Sequence, residues 1–233
     1  MELAQIDLWA VAGTSAWHRA SAIAKIIGTL FLISAIISAR DWRVLALLYA
    51  ALLLIVALAR LPARKIALIA AYPAAFSFLF VLSSRGGFDF ALLVIARAAT
   101  AALTMLLLIS TTPYIEIFAA LGRVLPALIA DGLLVTYRSF FLLLETFARL
   151  VTGIQLRGAY ARGRAHGIAQ MAEVIGVTFL HALDLAEASH AALHLRGYEN
   201  RIPSSDRWRQ MNARDVLPLS LGFIALTISI LSR

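Results

Sequence analysis

The sequence predicts an all-α, polytopic membrane protein, and three observations carry that reading. Of its 233 residues 61% are hydrophobic and 15% charged, with a mean hydropathy of +0.85, whereas a soluble domain is about half apolar and a quarter charged. Five apolar runs approach the roughly 20 helical residues needed to cross a hydrocarbon core of about 30 Å. Between the fourth and the fifth, over residues 111–214, lies an arginine-rich insert, too polar to be embedded in lipid and too apolar to be an ordinary soluble domain.

The first run, Ala22 to Ala39, carries Lys25 near one end. The segment before it, MELAQIDLWAVAGTSAWHR, has no basic region leading into a cleavable apolar stretch, so this run is expected to stay as a membrane helix. The second, Val44 to Ala59, is 16 residues long, and its flanking Arg43 and Arg60 must snorkel to the headgroups. The third, Ile66 to Ser84, contains Pro73; the fourth, Phe90 to Ile109, contains Arg97, read as snorkelling or paired within the bundle before any direct role in transport. The last run is Val216 to Ser232. This gives a membrane domain over 1–110, the insert over 111–214 and a final membrane helix over 215–233. The eleven arginines of the insert place it, and the N-terminus, in the cytoplasm by the positive-inside rule.

Composition also excludes. No cysteine is present, so disulfides, thiolate metal sites and cysteine nucleophiles are ruled out, and a bacterial inner membrane fits. The net charge is +8, and only Lys25 and Lys65 are lysines among 21 basic residues. Most of these flank apolar runs, which favours the lipid bilayer over nucleic acid as the partner of the charge. Neither lysine lies in a Gly-rich phosphate loop, so this chain is not expected to hydrolyse ATP.

Within the insert, Pro113 and Pro126 bracket a short helix, YIEIFAALGRVL. Asp131-Gly132 then precedes a long one over 133–156, on which Arg138, Glu145 and Arg149 form a narrow charged stripe, with Glu145 and Arg149 able to pair. A second long helix covers 169–195, with Glu173, Asp184, Glu187 and His194 on one side and Val174, Leu185 and Leu193 away from them. The two form an internal repeat. Val135-Thr136-Tyr137 and Glu145 match Val177-Thr178-Phe179 and Glu187, and both helices end on the same triplet, Leu156-Arg157-Gly158 and Leu195-Arg196-Gly197. Each glycine suits a left-handed C-terminal cap. Each arginine complements the helix dipole, which is a structural reason sufficient for one of them. Two such forks at matched helix ends point to docking against a carboxylate-lined groove, since a planar guanidinium binds carboxylate bidentately.

A metal reading rests on His181, Asp184, Glu187, His190 and His194, where i, i+3 and i, i+4 spacings suit ligation. With no HExxH and no matching motif on a second helix, a solvated polar face is preferred, and no catalytic, cofactor-binding or metal residue is assigned. The alternative from another class is a self-contained secondary transporter or channel, which would put ionisable groups at mid-membrane in broken helices. No carboxylate lies deep in a run.

At these triplets the chain resembles the transmembrane T component of energy-coupling factor (ECF) transporters, the ABC-type importers of vitamins and of cobalt or nickel. That family carries two short motifs, usually Ala-Arg-Gly, at the ends of two cytoplasmic coupling helices; Leu156-Arg157-Gly158 and Leu195-Arg196-Gly197 match in Arg and Gly and depart in the first residue. Ala161-Arg162-Gly163 matches literally, and Arg162 is the fallback for the first site. The stretches IDLWAVAGTSAWHRASAIAKI and RWRQMNARD are similar to the family's opening and to the basic segment before its last membrane helix. The resemblance implies an L-shaped fold of about five transmembrane and three coupling helices, and a non-catalytic scaffold. Its expected partners are two cytoplasmic ATPases, which hold ATP and Mg, and a small membrane S component that binds a metal ion or a vitamin such as biotin. Arg157 and Arg196 would each enter a groove of one ATPase. Ala182, Ala186 and Leu193 would face the S component, with Ala188 and Ala192 also allowing close approach, although helix packing within the chain explains the alanines equally well.

Overall fold

A computed structural model describes residues 8–13, 15, 17–84, 87–122, 124–158, 164–198, 202 and 215–231. Among these residues the regular structure is helical, with no strand: α1 (Ala22–Ser38), α2 (Trp42–Leu58), α3 (Ala63–Ser83), α4 (Phe88–Thr111), α5 (Tyr114–Leu121), α6 (Ala127–Leu156), α7 (Arg164–Leu195) and α8 (Val216–Leu231). The chain divides into two units, Met1–Ala120 with Ser205–Arg233, and Leu121–Ser204.

Local chemistry starts and stops the helices of the first unit. Ser21 accepts from the Ala24 amide at the head of α1, and Asp41 accepts from Arg43 N–H at the head of α2. α2 ends on Arg60 at φ 57°, with Leu61 N–H bonded to Val56 O and Arg60 N–H to Ala57 O, the pair of bonds that closes a helix through a left-handed residue. Pro73 lies inside α3. The Arg97 guanidinium donates to the Ala39 carbonyl at 2.7 Å, so it caps the C-terminal end of α1 within the bundle.

Small residues set the packing. α1 and α8 cross backbone to backbone: a methyl on Gly28 would lie 2.5 Å from the Pro218 carbonyl oxygen, and one on Gly222 2.7 Å from that of Gly28. Ser229 Oγ donates to Ala35 O at 2.8 Å along the same seam. Leu32, Leu52, Val56, Ile66, Leu103 and Leu107 fill the interior between α1, α2, α3 and α4. The periphery is apolar: Leu47, Leu58, Leu68 and Tyr72 are each 65–70% exposed, which suits lipid rather than water as the surrounding solvent.

One end of this unit is tied by buried polar groups from distant parts of the sequence. Lys25 Nζ donates to Thr111 O at 2.8 Å and to His18 O at 3.2 Å, and Ser21 N–H donates to Asp215 Oδ1 at 2.6 Å. Burial, then the Lys25 charge, lowers the His18 imidazole pKa below its ordinary range. α5, grouped on the sequence with the insert, packs here through Ala119 and Ala120 against Ala22, Ile23 and Ile26.

In the second unit α6 and α7 are longer than the sequence alone suggests. α6 begins at Ala127, directly after Pro126, and runs through Asp131-Gly132 instead of starting after it; α7 begins at Arg164 rather than 169. Pro126 pre-sets the entry, and the Asp131 carboxylate is bonded outside its own helix, so it does not compete for the α6 backbone. The result is 30 and 32 residues. By length and apolar composition α3, α4, α6 and α7 could each cross a membrane, while α1, α2 and α8, at 17, 17 and 16 residues, are shorter, about 25 Å each at 1.5 Å per residue. α6 and α7 are the less apolar of the four long helices, and the shorter α1, α2 and α8 are apolar as the sequence predicts.

Candidate functional site

The two Leu-Arg-Gly triplets stand at the C-terminal ends of α6 and α7 and have one architecture. Gly158 has φ 74° and Gly197 has φ 73°, the left-handed conformation that a side chain would strain. Gly158 N–H bonds to Gln155 O at 3.0 Å, and Gly197 N–H bonds to His194 O at the same distance. At the second tip the motif is complete, because Tyr198 N–H also reaches Leu193 O at 3.0 Å. The arginine is therefore the last residue before the chain turns away. Leu156 is 84% and Leu195 90% exposed, and Arg157 and Arg196 are exposed beside them. Among the described residues neither guanidinium has an ion-pair or hydrogen-bond partner. Arg162, the fallback, lies outside the described residues.

The tertiary structure adds a neighbour at the second tip that spacing could not supply. Arg138 of α6 and Arg196 of α7 line one recess of about 300 Å³, together with Ser139 and Ser189. A larger recess between the same helices, about 490 Å³, is lined by Asp131, Val135, Ala182, Ala186, Leu193 and Tyr198, among others. The three residues expected at the S component, Ala182, Ala186 and Leu193, thus line a recess between α6 and α7. Among the large side chains that stand out from α7 are Ile175, Phe179, Leu180 and Leu183, each 49–64% exposed.

Other expectations resolve locally. Arg149 donates to Thr146 Oγ1 at 3.2 Å, three residues away, so the hydrogen bond it makes is not to Glu145. His190 and His194 pack edge to face with centroids 4.5 Å apart. Among the described residues no three His, Asp or Glu side chains converge on a point where a metal could sit.

A family model described as CbiQ, cobalt transport protein, matches residues 80–205. This span starts at the end of α3 and takes in α4 to α7 with both tips. The chain belongs to this family, the T components of ECF transporters. It is a multi-pass membrane protein and one component of a multi-subunit transporter. A search of curated proteins finds no match. Within the T component, the match covers the two long helices and leaves out the N-terminal stretch and Asp215, which the buried contacts of His18, Ser21 and Lys25 draw together.

Proposed function

We propose that this T component is the non-catalytic scaffold of an ECF-type importer, carrying the ATP-driven movement of two cytoplasmic ATPases to a substrate-binding S component. The observation that supports this most directly is the pair of matched, exposed arginines, each followed by a left-handed glycine at the end of a long helix. Leu156-Arg157-Gly158 docks on one ATPase and Leu195-Arg196-Gly197 on the other. ATP and Mg belong to those partners, and this chain binds no cofactor of its own. The protein sits in a bacterial inner membrane with its N-terminus and coupling helices in the cytoplasm. The cargo is a micronutrient. The family's description makes cobalt the first to test, ahead of nickel and of vitamins such as biotin.

An arginine held in an acidic groove contributes through hydrogen bonds formed only when both partners are desolvated, and losing one partner of such a pair costs roughly 2 to 5 kcal/mol. Arg157→Glu and Arg196→Glu should therefore leave the chain folded in the membrane while reducing both ATPase co-purification and uptake. Wild-type binding and uptake in both variants would remove the docking role. A loss confined to Arg162→Glu would move the first contact to that residue.

A further inference from the structure

The end of α7 is tied back to α6 by one carboxylate. Asp131 Oδ2 accepts the Tyr198 hydroxyl at 2.9 Å and the Ile202 N–H at 3.0 Å. Tyr198 is the residue directly after Gly197, and its own N–H is bonded to Leu193 O, so its main chain and side chain are held by different helices. The chain leaving Arg196 is thereby fixed at two points on a single oxygen of α6, 67 and 71 residues earlier in the sequence. A hydrogen bond to a charged acceptor is worth more than a neutral one. Asp131 lies on the face of α6 that also presents Val135 and Ser139 to the recess with α7, so the contact continues the helix crossing.

We infer that Asp131 is a positioning residue for Arg196: it sets the direction in which the second docking tip leaves α7, and so transmits motion of that tip to α6. This rests on the docking role proposed above for Arg196. Without the carboxylate the left-handed turn at Gly197 still forms, because its bonds are local, but the end of α7 that carries Arg196 loses its tie to α6. The arginine then keeps its chemistry and loses its aim, and docking pays the ordering cost at each encounter.

The test is a mutant cycle, read as binding of the ATPase pair that co-purifies with the wild-type chain. Asp131→Ala should weaken binding about tenfold, the equivalent of one charged hydrogen bond. It should do so equally in an Arg157→Ala background, and have almost no further effect in an Arg196→Ala background. A general loss of folding would lower binding in both backgrounds. Tyr198→Phe, which deletes one hydroxyl, should reproduce part of the effect, and Asp131→Asn, which keeps an acceptor, should restore part of it.

A second readout needs no partner. The hydrogen bond that the Tyr198 hydroxyl donates to Asp131 holds the phenol pKa above the usual tyrosine range. The contact therefore stabilises the protonated form: it is fully present below the ordinary tyrosine pKa and lost as pH rises through the raised one. Ultraviolet titration should show a late phenol in wild type that moves to lower pH in Asp131→Ala. If the phenol moves and Arg196→Ala weakens binding while Asp131→Ala does not, positioning fails and docking stands. If Arg196→Ala has no effect, docking fails and the positioning role goes with it. Equal losses in both backgrounds would also overturn the inference.

Discussion

Two pairs of apolar helices are used in opposite ways, and α1 and α8 are the more apolar of the two pairs. α1 and α8 approach so closely at Gly28 and Gly222 that neither glycine has room for a methyl group, and a buried hydroxyl bond from Ser229 to Ala35 lies along the seam. α6 and α7 are nearly twice as long, yet among their described residues Gly132, Gly153 and Gly176 face open space, and Phe140, Ile175, Phe179 and Leu180 stand exposed. The first pair is glued by close backbone approach, which satisfies a bundle in lipid. The second leaves large apolar side chains exposed and is tied at the end of α7 by its contact with Asp131. The more apolar pair thus holds the bundle together, while the less apolar pair leaves large side chains exposed.

This comparison breaks most readily at Gly28. Gly28→Ala puts a methyl 2.5 Å from a carbonyl oxygen of the opposing backbone, and overpacking of this kind costs about 1 to 3 kcal/mol; thermal unfolding in detergent should show the loss. If Gly28→Ala is as stable as wild type, the seam is looser than described. Gly176→Ala should act in reverse. Its methyl meets nothing within 4 Å, so helix propensity should add about 0.5 to 1 kcal/mol to stability. A variant that gains stability but loses uptake would place Gly176 against a partner and sharpen the contrast. The smallest effect is expected at the cap of α2. There Arg60 adopts φ 57°, the conformation that glycine supplies at both Leu-Arg-Gly ends, and Arg60→Gly should stabilise by about 0.5 kcal/mol, measured by the same unfolding experiment. A loss at Arg60 would show that the side chain contributes more to the membrane boundary than its backbone costs.

Much of the candidate site was legible because it is local. A left-handed glycine closing a helix depends on bonds between residues three to five apart, and the repeated Leu-Arg-Gly named both ends before any fold was known. The exposure of Arg157 and Arg196 followed, since a residue at such an end projects beyond its own helix. Asp131-Gly132 was misleading for a physical reason. That dipeptide favours a turn when its carboxylate bonds its own backbone, and here the carboxylate bonds Tyr198 and Ile202 instead, so α6 runs on through it and starts at Ala127. The sequence leaves Arg97 either snorkelling or paired within the bundle, and only the structure supplies its partner, the Ala39 carbonyl.

By itself the sequence determined the all-helical membrane class, the two long helices of the insert and their arginine ends, because hydropathy and capping act over a few residues. Only the tertiary structure decided which distant groups meet: Gly28 with Pro218, Ser21 with Asp215, Lys25 with Thr111, Asp131 with Tyr198, and Arg138 beside Arg196. Each of these pairings depends on how two helices cross. No period or propensity encodes that crossing, because it is set by the sum of many contacts, none of them local in the chain.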